Sequence, residues 1–242
     1  MRDREVAIKG GDMNIEILST ADDVAVRAAG IIAAEARNAA NDRERFVMAV
    51  SGGRTPWQML RALANEDVPW ECVHVVQVDE RIAPAGDADR NLTHLRESLL
   101  SHAPISPDHI HAMPVEAADL NQACRDYTTM LNGICGNPAV IDLVHLGLGP
   151  DGHTASLIPG DSVCEVMDAD VALTGLYQNR RRMTLTYPVI NRARRILWVV
   201  TGGEKSPMVP RLLAGDAGIP AGPVAQAHAI LLADAVAAAE LK

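Results

Sequence analysis

The sequence predicts an α/β domain in which a mainly parallel sheet has helices on both faces. Short apolar runs alternate with longer segments of helical periodicity along the chain, a pattern typical of βαβ units. Hydrophobic residues make up 48% of the 242 residues but aromatic residues only 3%, and small aliphatic side chains suit a sheet buried on both faces. Neither a repeat nor a linker interrupts residues 14–242, so we expect one domain, with a small second lobe as the alternative.

The first half of the chain opens with a polar segment and then alternates strands with helices. Residues 1–13 begin without an apolar signal-peptide core and are predicted to be a disordered lead-in. Thr20 can cap the first helix through its hydroxyl, and Pro56 fits the first turn of the second because it has no N–H to leave unpaired. The predicted strands are residues 15–19, 46–50 and 73–78, and the predicted helices are residues 21–41, a segment opened by Thr55, and residues 91–102.

The second half continues the alternation of strands and helices. The strand at 141–146 runs directly into a glycine-rich loop at 147–153. Pro207 and Pro210 complicate the start of the last predicted helix. Helices are predicted at 119–134 and 206–213, and strands at 141–146, 183–187, 196–200 and 229–232.

Charge and cysteine content exclude several classes of function. The formal net charge is −9, whereas a nucleic-acid surface requires a basic face. No apolar run approaches the ~20 residues of a membrane span, so we expect no membrane association. The four cysteines form no Cys-x-x-Cys pair, which favours free thiols in a reducing, cytoplasmic compartment. A small anionic substrate is compatible with this composition, because a few cations in one cleft outweigh a diffuse negative surface locally.

Four polar or glycine-rich segments follow predicted strands. Ligands of open parallel sheets bind beyond the carboxyl ends of the strands, so we expect these segments to converge on one site. They are residues 51–55, 79–81, 147–153 and 201–205.

The first of these segments has the features of an anion-binding turn. Gly52 and Gly53 let backbone N–H groups approach a ligand at the start of a helix, where negative charge is favoured. Ser51 and Thr55 add hydroxyls and Arg54 adds a positive charge. An ordinary tight turn is the alternative interpretation.

Charged side chains in the next two segments are candidates for catalysis. Asp79 and Arg81 stand just past an apolar strand, although a solvated strand end with a local salt bridge is the alternative. The glycines of the 147–153 loop bring the backbone near a ligand and present His153, which can act as a general base near neutral pH. Asp151 is near enough in sequence to orient its ring. A turn with an exposed histidine is the alternative.

Positive charge for a phosphate is expected from residues 180–182 and from Lys205. A run of three arginines is usually a solvated face, but one of them can bind a phosphate through two parallel hydrogen bonds. Lys205 follows two glycines at a predicted helix start.

The other histidines are not predicted to take part in catalysis or metal binding. His74 and His145 lie inside apolar strands and are predicted to be core residues. His102, His109 and His111 cluster around a loop without the spacing of a zinc site. We therefore predict no metal site.

Five stretches, taken together, resemble the 6-phosphogluconolactonase family. The most specific is GLGPDGHTASLIPGD at 147–161, and the resemblance extends from residue 14 to the C-terminus. It implies a parallel sheet wrapped by helices, no metal or organic cofactor, and hydrolysis of a sugar-phosphate lactone in the oxidative pentose phosphate pathway. The other stretches are SGGRTP at 51–56, VDER at 78–81, RRMTLTYPVIN at 181–191 and VTGGEKSP at 200–207.

The resemblance also implies roles for individual residues. His153 matches the general base, and Arg81 matches an arginine near the reacting carbonyl. Asp151 is expected to hold the imidazolium, and Asp79 to bind sugar hydroxyls or tune Arg81. For binding of the sugar phosphate, the resemblance implies Gly52, Gly53, Thr55, Arg182 and Lys205. Apart from the resemblance, we also expect Ser51, Arg54 and Asn91 to bind the substrate.

Two departures from the family pattern leave questions open. Arg54 stands where a serine is common after the two glycines. Residues 177–181, Tyr-Gln-Asn-Arg-Arg, replace a stretch that is usually rich in proline, which leaves open which arginine among 180–182 meets the phosphate. Arg182 is chosen by its offset from Thr184. We expect a monomer or small homo-oligomer.

Two other functions are considered. An aminosugar-phosphate deaminase of the same superfamily would use Asp79 as a carbon-acid base, but it usually has an acidic residue shortly after the Asp-Gly-His motif, and here residues 155–160 contain no carboxylate. A sugar-phosphate-binding regulator without catalysis would require a DNA-binding segment, for which the acidic chain has no room before residue 14.

Overall fold

The computed structural model describes residues 6–10 and 13–241, with only the backbone described for residues 6–10. The strands are β1 (Val6–Gly10), β2 (Met13–Leu18), β3 (Phe46–Val50), β4 (Val73–Gln77), β5 (Asp79–Arg81), β6 (Ile110–His111), β7 (Leu143–Leu146), β8 (Val171–Leu173), β9 (Arg182–Leu185), β10 (Arg195–Val200) and β11 (Ala229–Asp234). The α-helices are α1 (Ala21–Arg43), α2 (Arg54–Leu63), α3 (Asn91–Leu95), α4 (Leu120–Cys135), α5 (Tyr187–Asn191) and α6 (Val209–Leu213).

The main sheet has the order β1-β2-β11-β10-β7-β3-β4-β6. Every neighbouring pair from β2 to β6 is parallel, and β1 alone pairs antiparallel with β2. A second sheet, β5-β9-β8, is antiparallel. The predicted α/β class with a mainly parallel sheet is therefore confirmed.

Both faces of the main sheet are buried. Along β3, Val47 and Ala49 pack into one core, whereas Phe46, Met48 and Val50 pack into the other, because successive side chains of a strand point to opposite faces. Residues of α4 belong to the first core and residues of α1 and α2 to the second. The apolar strands thus lack a polar face because helices cover both sides.

The helix starts follow the predicted capping chemistry. Thr20 Oγ1 accepts from the backbone N–H of Asp23 (3.1 Å), and the Asp23 carboxylate accepts from the N–H of Thr20 (3.0 Å). This reciprocal pair satisfies two N–H groups that the helix leaves free. The prediction of Thr20 as N-cap is confirmed.

Some elements differ from expectation. Asp79–Arg81 is not a loop but the strand β5, which pairs with β9 in the small sheet. The predicted strand at 183–187 appears as β9 in that same sheet. The last helix begins at Val209 rather than at residue 206, because Pro210 is compatible only with a first helical turn. The helix predicted at 91–102 is α3, continued by a π-helical turn at Arg96–Leu100.

The N-terminal segment is only partly described. Val6–Gly10, expected to belong to a disordered lead-in, forms β1 against β2. Residues 1–5, 11 and 12 lie outside the described part of the chain. Among the helices that are described, none combines the length and apolar character needed to cross a membrane.

Candidate active site

The four predicted segments meet at one edge of the main sheet. They follow β3, β4, β7 and β10, which lie side by side in the order β10-β7-β3-β4 and run parallel. A cleft of about 600 Å³ opens there and is lined by residues of all four segments. The predicted convergence is confirmed.

The loop after β3 requires glycine at two positions for different reasons. A Cβ at Gly52 would overlap the carboxamide of Asn91, whereas Gly53 has a φ of +129°, which favours glycine. Gly53 directly precedes α2, and the first helical residues, Arg54 and Thr55, line the cleft and have N–H groups without an intrahelical partner. This arrangement suits an anion.

Ser51 and Thr55 tie this loop to its neighbours. The Ser51 hydroxyl donates to the carbonyl oxygen of His145 (2.9 Å), and its N–H donates to His145 Nδ1 (3.2 Å). Complete burial lowers the pKa of His145 to about 3, so this ring stays neutral in the core, as predicted. Thr55 Oγ1 lies 2.5 Å from Thr201 Oγ1. Both hydroxyls therefore fix the spacing of the loops as well as lining the cleft.

Glu80 is the fully buried member of the charged segment after β4. Its carboxylate accepts from the N–H groups of Asn91 (2.7 Å) and Leu92 (2.8 Å) and pairs with Arg90 at 3.1 Å. Glu80 thereby accepts hydrogen bonds from free N–H groups in the first turn of α3 and holds that helix against β5. This role of Glu80 was not predicted from the sequence. Side chains alternate between the two faces of a strand. A predicted strand at residues 79–81 would therefore have placed Glu80 on the opposite face from Asp79 and Arg81.

We expect Glu80→Ala to lower the free energy of unfolding by about 3–5 kcal/mol, because it removes the only buried carboxylate that pairs with the buried Arg90 among the described residues and leaves the N–H groups of Asn91 and Leu92 without an acceptor. Urea denaturation followed by circular dichroism measures this loss. The matched control is Glu116→Ala, since Glu116 contacts the same guanidinium at 3.4 Å with its side chain 54% exposed, and exposed pairs contribute less than about 1 kcal/mol. Similar losses in the two variants would contradict the structural role of Glu80.

Asn91 links Asp79 to Arg81. Its Nδ2 donates to the main-chain oxygen of Asp79 (2.9 Å) and to Asp79 Oδ1 (3.3 Å), and its Oδ1 accepts from Arg81 Nη1. Asp79 Oδ2 accepts from Ser156 Oγ at 2.6 Å. Both oxygens of this buried carboxylate are therefore engaged, and Arg81 is aimed along the cleft wall.

His153 and Asp151 form a close pair in the cleft. His153 Nδ1 lies 2.5 Å from Asp151 Oδ1. Because an ionised carboxylate only accepts, Nδ1 carries a proton, and in the neutral form of the ring the free lone pair is therefore on Nε2. Partial burial opposes ionisation of Asp151, yet the charge of His153 and hydrogen bonds from His153 and Tyr177 hold the pKa of Asp151 below its usual value.

Glycines shape the loop that presents this pair. Gly149 N–H donates to the carbonyl oxygen of His153 (2.8 Å), which closes a tight turn. A Cβ at Gly149 would overlap the His153 ring and come within 2.6 Å of Asp151 Oδ1. Gly152 has a φ of +82°, and a Cβ there would lie 2.6 Å from Ile219. The unusual backbone path predicted for this loop is present.

The three consecutive arginines have different surroundings. Arg180 pairs with Asp87 and Asp89, each at 3.1 Å, and Arg181 is exposed with its Nε donating to a main-chain oxygen. Arg182 is 5% exposed and lines the cleft. Of the three, Arg182 is therefore the one placed to meet a ligand in this cleft.

Lys205 lines the cleft from the loop after β10. It ends the 3₁₀ turn Gly203–Lys205, with its Nζ 3.8 Å from Glu204. The N–H of Gly202 donates to both carboxylate oxygens of Asp234 (3.2 Å each), which fastens this loop to the end of β11. Glu204 and Asp234 also line the cleft, and the sequence analysis did not single them out.

The remaining histidines lie elsewhere. His74 is only half-buried, unlike the core residue expected. Its Nδ1 is 3.0 Å from His111 Nε2, and its ring stacks on that of His109 at 3.8 Å. Within the described ranges, no group of three or more His, Cys, Asp or Glu side chains has a geometry that could hold a metal ion.

Comparison with known proteins identifies the family. Residues 19–232 match the model of glucosamine-6-phosphate isomerases/6-phosphogluconolactonase. The chain belongs to this family. A 6-phosphogluconolactonase of Nostoc sp. is 33% identical over 238 residues, which cover 94% of this chain and 98% of that relative. A 6-phosphogluconolactonase of Mycobacterium leprae is 32% identical over 244 residues, again covering 94% and 98%.

Solved structures of the family share the fold. The 6-phosphogluconolactonase of Thermotoga maritima has a TM-score of 0.81 at 26% identity and covers 91% of this chain and 98% of its own. A monomeric glucosamine-6-phosphate deaminase has a TM-score of 0.82 at 20% identity and covers 93% and 99%. Because both activities occur on this fold, the side chains of the cleft must distinguish them.

Proposed function

We propose that this family member hydrolyses 6-phospho-D-glucono-1,5-lactone to 6-phospho-D-gluconate. The observation that supports this most strongly is the His153–Asp151 pair, which shares one cleft with Arg81, Arg182 and Lys205. A base and three cations in a cleft of sugar-phosphate size suit hydrolysis of an anionic ester. The family relatives named 6-phosphogluconolactonase support the same substrate.

Binding comes first in the proposed mechanism. The phosphate docks on residues 51–55, which comprise the loop after β3 and the start of α2, and on Arg182 and Lys205. Anchoring at this end holds the C1 carbonyl of the lactone near His153, which converts a collision with water into a reaction between positioned groups.

Asp151 keeps a proton on His153 Nδ1, so Nε2 is the nitrogen that takes part in proton transfer. His153 Nε2 removes a proton from water as the water oxygen attacks C1. Arg81, oriented by Asn91, stabilises the oxyanion of the tetrahedral intermediate. The imidazolium, held by Asp151, then returns the proton to the ring oxygen as the C1–O bond breaks. Asp79 binds sugar hydroxyls or tunes Arg81, and the mechanism requires neither a metal nor an organic cofactor.

The deaminase alternative would use Asp79 as the base that removes a proton from carbon. Here both carboxylate oxygens of Asp79 already accept hydrogen bonds, from Ser156 and Asn91, and Asp79 is 4% exposed. This engagement favours an orienting role for Asp79 and supports the lactonase.

One assay tests the proposal directly. Freshly prepared 6-phosphogluconolactone is supplied, and its loss is followed above the spontaneous rate, with the non-phosphorylated lactone as control. Faster loss of the phosphorylated lactone supports the proposal. Ammonia release from glucosamine 6-phosphate would instead favour the deaminase, and binding without turnover would favour a regulator.

We expect Lys205→Ala to raise KM for the phosphorylated lactone by about tenfold with little change in kcat, because it removes a charge that binds the phosphate in ground and transition states alike. Steady-state kinetics measure the two constants separately. Arg61→Ala, which removes an exposed cation outside the cleft lining, is the control and should leave KM unchanged. An unaltered KM in Lys205→Ala would remove Lys205 from the phosphate site.

We further propose a cytoplasmic location and a monomer or small homo-oligomer. The described cysteines are all free thiols, which suits a reducing compartment.

A further inference from the structure

The hairpin between β8 and β9 forms part of the wall beside His153. Tyr177 and Arg180 exchange backbone hydrogen bonds of 3.0 and 3.2 Å. The two residues between them, Gln178 and Asn179, have φ values of +50° and +61°, as a two-residue type I′ turn requires. This is the segment in which the sequence departs from the family pattern.

Tyr177 contacts three side chains of the proposed active site. Its hydroxyl donates to Asp151 Oδ2 at 3.1 Å. Its ring meets the His153 ring edge-on, with centroids 5.7 Å apart. The guanidinium carbon of Arg182 lies 4.9 Å from the centroid of the same ring. One side chain thus joins the proposed base, its carboxylate partner and a proposed phosphate ligand.

Contacts of Arg180 and Gln178 also hold the turn that presents Tyr177. Arg180 pairs with Asp87 and Asp89, and Gln178 Oε1 accepts from Arg182 Nη2 at 3.1 Å. These contacts restrict the hairpin at its tip, so the position of Tyr177 is set by the fold as well as by its own contacts.

We propose that Tyr177 is a positioning residue that holds Asp151 against His153 through its hydroxyl and supports Arg182 through its ring. The inference rests on the proposed lactonase function. Asp151 is 36% exposed at its side chain, and its Oδ1 accepts from both Nδ1 and the backbone N–H of His153, the latter at 3.2 Å. The hydroxyl of Tyr177 is the contact that holds the other oxygen, Oδ2. With Oδ2 engaged by Tyr177, Oδ1 faces His153 Nδ1.

The orientation of Asp151 also determines how well it stabilises the protonated ring. An ionised carboxylate beside an imidazole favours the protonated form, and Asp151 can do this only while Oδ1 faces Nδ1. Without the hydroxyl of Tyr177 the carboxylate can turn away, so Tyr177→Phe should disfavour the protonated imidazole and shift the acid limb of the pH–rate profile to lower pH.

The test compares Tyr177→Phe with Tyr187→Phe. Tyr187 donates to the carbonyl oxygen of Pro220 (2.7 Å) and lies outside the cleft, so its variant controls for loss of a tyrosine hydroxyl. The imidazole signal of His153, assigned by its absence in His153→Gln, is titrated by NMR in the free proteins. In Tyr177→Phe its midpoint should fall by about half a pH unit, and the acid limb of kcat/KM should move with it. In Tyr187→Phe both should match the wild type.

A third variant separates the ring from the hydroxyl. Tyr177→Ala should raise KM by about fivefold beyond Tyr177→Phe, because Arg182 loses the aromatic face below it. A titration of His153 in Tyr177→Phe that superimposes on the wild type would overturn the proposal, as would an equal shift in Tyr187→Phe. Since the titration needs no substrate, it remains decisive if the wild type fails to hydrolyse the lactone, a result that would overturn the proposed function instead.

Discussion

Replacing His153 with alanine is expected to lower kcat for the phosphorylated lactone by at least about a hundredfold, the usual contribution of a general base. In the proposed mechanism no neighbouring group replaces Nε2, because Arg81 is cationic and Asp151, which loses Nδ1 in this variant but keeps its contact with Tyr177, is a much weaker base than an imidazole. The side chain of His153 is 23% exposed, so its removal should leave the fold intact. Kinetics with saturating lactone and thermal unfolding of the same sample measure both effects.

The matched control for this variant is His102→Ala. His102 is exposed, outside the cleft lining, with its Nε2 3.0 Å from the carbonyl oxygen of Glu97, and its loss should leave kcat unchanged. Turnover by His153→Ala within about threefold of the wild type would exclude His153 as the base.

Replacing Gly149 with alanine should also lower kcat, by at least about tenfold, although no reacting group is removed. The new methyl group would occupy the space of the His153 ring and press against Asp151 Oδ1. Because the ring is partly exposed, it can rotate outward, which relieves the overlap but separates Nδ1 from the carboxylate. The expected result is a folded protein with a disordered base, measured by kcat together with near-wild-type thermal unfolding.

Gly133→Ala serves as the control for an added methyl group. Gly133 lies in α4, and a Cβ there would meet nothing within 4 Å, so activity should be unchanged and stability slightly higher, since alanine favours a helix over glycine by about 1 kcal/mol. Full activity in Gly149→Ala would show that the short His153–Asp151 contact is dispensable.

Local patterns predicted most of the elements because their determinants are local. The capping box at Thr20, the apolar run of β3 and the glycines of the 147–153 loop each depend on residues a few positions apart. The order of alternating strands and helices then predicted that the loops share one edge, since parallel strands place their carboxyl ends together.

Sequence patterns could not predict the contacts between segments that are far apart in the chain. Glu80 caps a helix that begins eleven residues later, and nothing in the Asp-Glu-Arg spacing indicates that the middle residue points inward. β5 was missed because its partner, β9, lies about a hundred residues away. The position of Tyr177 depends on a turn that departs from the family pattern, so neither periodicity nor resemblance could assign it a contact.

The sequence by itself determined the fold class, the family and the chemical types gathered in the cleft, because periodicity, turn residues and a specific glycine-rich motif are encoded along the chain. The tertiary structure decided how each charged group is arranged: Arg182, already chosen by its offset from Thr184, lines the cleft whereas Arg180 and Arg181 do not, and Glu80 is fully buried whereas Asp79 and Arg81 line the cleft. The physical reason is that the direction of a side chain depends on strand register and on partners brought close only by folding.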